Sequence, residues 1–232
     1  YSMLGGYCIK YTIANIGDFF GASWGVNGAD SAAFFKGFYT DPVQTVAFTV
    51  LFVFLTILIT RVGVSKGIEK FSAIAMPALF VMLCVVIVRS VTLPGASEGL
   101  AFVFKPNFDV FKGTGWISVL ASASGQMFFS LSLGMAIMVT YGSYMKKNED
   151  LQENAIIIPI ADTLIAVMAG VAIMPAVFAS GQDPAAGPGL LFITLQTVFS
   201  AMGSLGPVFG TLFYGLVFIA AITSSISLVE AV

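Results

Sequence analysis

The chain has 232 residues, 58% hydrophobic and 9% charged, with a mean hydropathy of +0.97 and a net charge of -2. A water-soluble domain carries about a quarter charged residues, so this chain lacks the charge to coat a water-facing surface and reads as an all-α integral membrane protein. Its ten Lys and Arg are scattered and form no basic tract, which argues against nucleic acid as a partner.

A helix needs about 20 mainly apolar residues to cross a bilayer, and six segments approach that length. The first is 1–16, followed by a loop rich in Gly, Asp and Asn. The second is 43–60, and the short basic turn RVGVSK leads from it to the third, 67–93. A polar loop containing PGASEG and KPNFDVFKGTG precedes the fourth, 116–144. The turn MKKNEDLQE separates that from the fifth, 155–179. After DPAAGPG, the amphipathic stretch LLFITLQTVFSAM is expected to form a short surface helix, and the sixth segment runs 207–232. Both ends lie in apolar sequence, so 1–232 is expected to be a single transmembrane domain cut from a longer protein.

Short loops holding Arg61, Lys66, Lys70, Lys146 and Lys147 are expected on the cytoplasmic side. Lys36, Lys105 and Lys112 are spread over longer loops on the other side. The first segment then runs outward and the sixth inward, in a multi-pass protein of the cell membrane. Cys8 and Cys84 lie in apolar segments without metal or disulfide-framework spacing and read as buried small hydrophobes.

Ionisable side chains inside spans are costly and mark candidate sites. Lys10 and Arg89 have stems long enough to reach an interface, which gives them a structural reading. Asp162, about two turns into the fifth segment, is too short for that and needs a cation, a proton or hydrogen-bond donors. Glu230 lies too near the end of the chain for assignment.

The fourth segment is longer than a simple span and carries GQMFFSLSLGMA at its centre. Small residues there are compatible with close helix packing. Composition alone favours that packing, and the excess length shifts the reading toward two half-helices joined by unwound backbone, which membranes tolerate where it is buried or lines a cavity. In AAITSSISL of the sixth segment, Thr223 and Ser224 follow Ala220 by three and four residues and share its helical face. Two hydroxyls and a carbonyl there could hold Na⁺ or could form a hydrogen-bonded seam between helices.

The combination of GQMFFSLSLGMA, a polar turn, ADT in the next segment and then AAITSSISL resembles the neurotransmitter:sodium symporter family, in its bacterial amino-acid-transporting branch. The resemblance covers essentially the whole chain, as the family's third to eighth spans. It implies part of a LeuT-type inverted-repeat transporter with a discontinuous helix near 130–135. It also implies sodium-coupled symport of a neutral, hydrophobic amino acid by alternating access, without bond-making chemistry. By the same resemblance, Tyr1, Phe129, Ser132, Gly134, Met135, Ser224 and Leu228 bind substrate, with Phe129 closing over it. Met135 stands where Phe is commoner, which points to an adaptable apolar pocket. Ser130 and Asp162 match ligands of a first Na⁺ site; Ala220 (by its carbonyl), Thr223 and Ser224 match a second. Asp162 replaces an Asn common among relatives and places a negative charge beside the ion, so no chloride requirement is expected.

Gly67 and Pro77, with nine residues between them, match a pattern associated in the family with unwinding and solvent entry from inside; an ordinary kink is the competing reading. Membrane lipid is the expected surroundings, and the sequence leaves the oligomeric state open. An ion channel using the same broken helix, or a membrane scaffold whose small residues only pack, are the competing functions.

Overall fold

The computed structural model describes residues 1–26, 30–62, 64–145, 150–181, 183–185, 187 and 189–231, the side chains of 62, 64–72 and 75 excepted. Lys146 and Lys147, and the side chains of Lys66 and Lys70, on which the expected orientation partly rests, lie outside the described set. Among the described residues every regular element is helical. In chain order these are α1 (Ser2–Phe19), α2 (Ser31–Tyr39), α3 (Pro42–Val62), α4 (Val64–Val91), α5 (Ala96–Phe104), α6 (Gly115–Ser130), α7 (Ile137–Tyr144), α8 (Leu151–Ala179), α9 (Leu195–Ser200) and α10 (Gly206–Glu230).

Among the described residues, α3, α8 and the helix ending in α10 are each long and apolar enough to cross a membrane. The outer part of α4 joins that group only together with α5, across a bend of 120°. α1 falls outside it because its 18 residues include Lys10, Asn15 and Asp18. α6 and α7 are 16 and 8 residues long, each too short alone. The region from Gly67 to Pro77 is helical throughout as part of α4.

α1 lies between α3 and α10, while α8 packs on α4 and α5. The α1–α3 contact depends on the Gly5-Gly6 pair. A Cβ on Gly6 would sit 2.9 Å from the Phe48 and Thr49 backbone, and one on Gly5 would overlap the Phe52 ring. Small residues that let backbones approach closely are a main source of helix association in membranes.

The stretch LLFITLQTVFSAM departs from its expected place on the surface. It forms a π-helical turn, Leu190–Thr194, running into α9, and Phe192, Leu195, Gln196 and Phe199 are all buried. The reason is a cup of aromatic rings that a periodicity argument cannot see. Phe192 meets Tyr7, Tyr11, Phe35 and Tyr214 at centroid distances of 5.0–5.9 Å. Behind the rings, Asn15 Nδ2 donates to Gln196 Oε1 at 3.0 Å, and Gln196 Nε2 donates back to Asn15 Oδ1 at 3.3 Å. Gly210 makes room, since a Cβ there would overlap the Asn15 amide.

Lys10 behaves as its long stem suggests. Its ammonium donates to Gln44 Oε1 at 3.2 Å and lies 5.6–5.8 Å from the ring centroids of Phe34, Phe38 and Phe48, a cation–π arrangement. Arg89 sits in the last turn of α4, where a cation complements the helix dipole.

α3 begins with Asp41 as its cap and Pro42 at its first position, the arrangement helix starts favour. Asp41 accepts from Gln44 Nε2 at 2.8 Å and from the amides of Val43 and Gln44 at 3.0 and 3.2 Å. These bonds, the Gln44 side chain first, hold the Asp41 carboxyl below its usual range. A carboxyl whose folded pKa is depressed contributes stability above its unfolded pKa and loses it as pH falls through the folded value. Asp41→Asn is therefore expected to flatten the acid side of the melting temperature against pH. A profile identical to wild type below pH 4 would count against the cap.

Candidate functional site

α6 ends where its sequence still looks helical. Its last carbonyls are closed off by a Schellman motif: the Leu133 amide donates to the Phe128 carbonyl at 2.9 Å, and the Ser132 amide to Phe129 at 3.3 Å. Ser132 takes the left-handed position of that motif with φ 55°, where glycine is usual. Gly134 follows at φ 75° and Ala136 at φ 62°. Three left-handed residues within five cannot belong to a continuous helix, and α7 starts afresh at Ile137. Among the described residues the backbone amides of Gly134 to Met138 donate to no protein acceptor. The discontinuity thus leaves polar backbone groups at the middle of an apolar segment.

Beside the break is a cavity of 510 Å³ between α6, α7, α8 and α10, with Tyr1 at its edge. Of the residues singled out from sequence, Tyr1, Phe129, Ser130, Ser132, Met135, Asp162, Ser224 and Leu228 line it. Gly134 belongs to the unwound turn without lining the cavity, and Ala220 and Thr223 lie outside the lining as well. Tyr1 and Phe129 stack face to face, with centroids 5.7 Å apart and planes 10° from parallel. The remaining wall is mostly apolar: Ile137, Met138, Ile158 and Leu131 among others.

One oxygen-rich group stands at this cavity and a second on α10, largely outside its lining. The Ser130 hydroxyl lies 2.7 Å from each carboxylate oxygen of Asp162, which ties the end of α6 to α8. On α10, Thr223 Oγ1 donates to the Ala220 carbonyl at 2.9 Å, which the helix ladder also offers to the Ser224 amide, so it is the Thr223 hydroxyl's lone pairs that remain for another partner. Both groups, the Asp162 carboxylate with Ser130 and the hydroxyls on α10, offer hard oxygens, suited to an alkali or alkaline-earth cation rather than to a soft metal. Among the described residues no cluster of three or more His, Cys, Asp or Glu exists.

Sequence reasoning missed the inner wall. Tyr141 Oη lies 2.7 Å from Ser227 Oγ, and Tyr144 Oη donates to Glu230 Oε1 at 2.9 Å. Both tyrosines and both partners are three residues apart, so two parallel helices are joined by rungs one turn apart. The matched spacing was visible in VTYGSY and SLVE, but nothing in sequence brings those helices together. Pro159 and Ala155 also line the cavity; Pro159 has no amide hydrogen, so the Ala155 carbonyl lacks its helical donor.

Comparison with known proteins gives a consistent result. The model of the sodium:neurotransmitter symporter family matches residues 41–232. An uncharacterized sodium-dependent transporter YhdH of Bacillus subtilis is 39% identical over 236 residues, covering 100% of this chain and 50% of the relative. An uncharacterized sodium-dependent transporter of Haemophilus influenzae is 39% identical over 237 residues, with the same coverage. The sodium-dependent nutrient amino acid transporter 1 of Drosophila melanogaster is 26% identical over 194 residues, covering 79% of this chain and 29% of that protein. Among solved structures, MhsT in complex with L-phenylalanine matches with a TM-score of 0.89 and 40% identity, over 100% of this chain and 51% of MhsT. The chain spans about half the length of these two bacterial relatives.

Proposed function

This chain belongs to the sodium:neurotransmitter symporter family and has the LeuT-type fold of its structural neighbour; on that premise we propose that its protein couples sodium entry to uptake of a neutral, hydrophobic amino acid across the cell membrane. The observation that carries this reading is the joining of the α6 break to Asp162 through Ser130, at the edge of a cavity with aromatic and thioether walls.

In this reading Asp162 and Ser130 hold one sodium ion, and the Ala220 carbonyl with Thr223 and Ser224 holds a second. Sodium supplies positive charge at the break when bound. The unpaired amides after Leu133 and the Tyr1 hydroxyl face the substrate carboxylate, while Phe129, Met135 and Leu228 enclose the side chain. Apolar walls with a few placed polar groups are what ligand cavities use to combine affinity with orientation. The structural neighbour MhsT, seen in complex with L-phenylalanine, supports a bulky apolar side chain here. Uptake is driven because ion and amino acid favour the same conformation, and only such differential affinity can couple them. The chemistry is binding and release, with no bond made or broken.

The carboxylate of Asp162 makes the first ion site electrically neutral when sodium is bound, which removes the need for an anion nearby. The test is uptake and ligand-induced thermal shift of the full-length protein with neutral amino acids. Both are expected to require Na⁺ rather than K⁺, and to change less than about twofold when gluconate replaces chloride. Ion conduction without amino-acid uptake would overturn the symport reading. A steep loss in gluconate would overturn the role given to the Asp162 charge.

A further inference from the structure

α7 is held in an unusual way. It has eight residues, too few for a stable helix on its own, and it follows an unwound turn that gives it a hinge. Its main packing neighbour among the described helices is α10, so its position depends largely on what it grips there.

The grip has a direction. Ser227 Oγ donates to the Thr223 carbonyl at 3.0 Å, which commits the only proton of that hydroxyl. The 2.7 Å contact between Ser227 Oγ and Tyr141 Oη must then have the phenol as donor. The result is a chain from the Tyr141 hydroxyl to Ser227 and on to the Thr223 carbonyl. Thr223 also points its own hydroxyl at Ala220. The α7 half-helix is therefore tethered to the same turn of α10 that carries Ala220, Thr223 and Ser224. Tyr141 and Ser227 also line the cavity, so the tether sets how closely its α7 and α10 walls approach.

We infer that Tyr141 and Ser227 are positioning residues, which touch neither ion by assignment but hold α7 in the one placement where the α10 oxygens and the cavity are assembled together. The inference rests on the symport reading above and deepens it. It concerns which groups keep the binding-competent arrangement populated. Removing the tether lowers that population, and apparent affinity falls in proportion to the fraction remaining.

The measurement is binding of a radiolabelled neutral amino acid by the purified full-length protein over a sodium titration. Tyr141→Phe and Ser227→Ala, each deleting one hydroxyl, are expected to raise the half-saturating sodium concentration by about fivefold, the range of one lost hydrogen bond. The double variant is expected to be no worse than either single one, as for residues acting through one link. Ser227→Thr, which keeps the hydroxyl, is expected to stay within about twofold of wild type. Loss of folding alone would lower the melting temperature without this pattern of rescue and non-additivity. Unchanged sodium dependence in both single variants overturns the tether, as do multiplied effects in the double variant. Wild-type binding that ignores sodium overturns the symport reading itself, and the tether with it.

Discussion

Asp162→Ala in the full-length protein is expected to abolish the sodium-dependent thermal shift and to lower sodium-driven amino-acid uptake by at least about a hundredfold. The size follows from the role proposed for the side chain. Its two oxygens sit 2.7 Å from the Ser130 hydroxyl, and truncation takes away a charged oxygen ligand, together with the acceptor that Ser130 needs. Interactions with a charged group contribute about 1.5–3 kcal/mol each, and two lost together correspond to two orders of magnitude or more. Asp162→Asn separates charge from shape. It keeps one oxygen acceptor for Ser130 and removes the compensating charge, so it is expected to bind sodium about tenfold more weakly while remaining folded. Full retention of the sodium-dependent shift in Asp162→Ala would remove Asp162 from the ion site.

The second large effect is on stability. Gln196→Met is expected to lower the melting temperature by about 5 °C, because it leaves Asn15 Oδ1 without its donor in a region from which water is excluded, while Asn15 Nδ2 keeps only the Tyr11 carbonyl. An unsatisfied buried amide costs about 1–3 kcal/mol, and each kcal/mol is worth about 2–4 °C in a chain of this size. Asn15→Leu is expected to cost a similar amount. The informative variant is the double, Asn15→Leu with Gln196→Met, which removes both polar groups and is expected to recover part of the loss. Pairs replaced together by apolar groups of similar shape are often nearly neutral. A double variant whose loss equals the sum of the singles would show that the amide pair is not a unit.

The pair also shows where sequence reasoning stopped. Asn15 and Gln196 are 181 positions apart, and neither has a neighbour in sequence that announces the contact. The stretch around Gln196 reads as amphipathic, and the expectation of a surface helix followed from that pattern alone. In the folded chain that face inserts among Tyr7, Tyr11, Phe35 and Tyr214, and even its glutamine is buried. Amphipathicity says that one face is apolar; it does not say what covers it.

The broken helix was more legible, because its cause is local. A segment too long for one span, with Ser132 and Gly134 near its centre, points to a break without any tertiary information, although close helix packing competes for the same residues. The φ values of 55° and 75° at those two residues are local backbone states. Asp162 was equally visible, since a short carboxylate inside an apolar helix is costly wherever the helix packs. The juxtaposition of Ser130 with Asp162 came only from family resemblance, and Tyr141 with Ser227 came from neither motif nor resemblance.

By itself the sequence determined that this is a helical membrane chain and where its apolar segments lie, and the excess length of one of them pointed to a break. These follow from composition, length and backbone preference, which act over a few residues. Only the tertiary structure decided that α9 is buried and that α7 hangs from α10 by tyrosine hydroxyls. It also decided that Ser130 and Asp162 face the same cavity as Tyr1 and Leu228. Such contacts join residues far apart in the chain, and their free energy depends on the shape and polarity of a surface that exists only once the helices have packed.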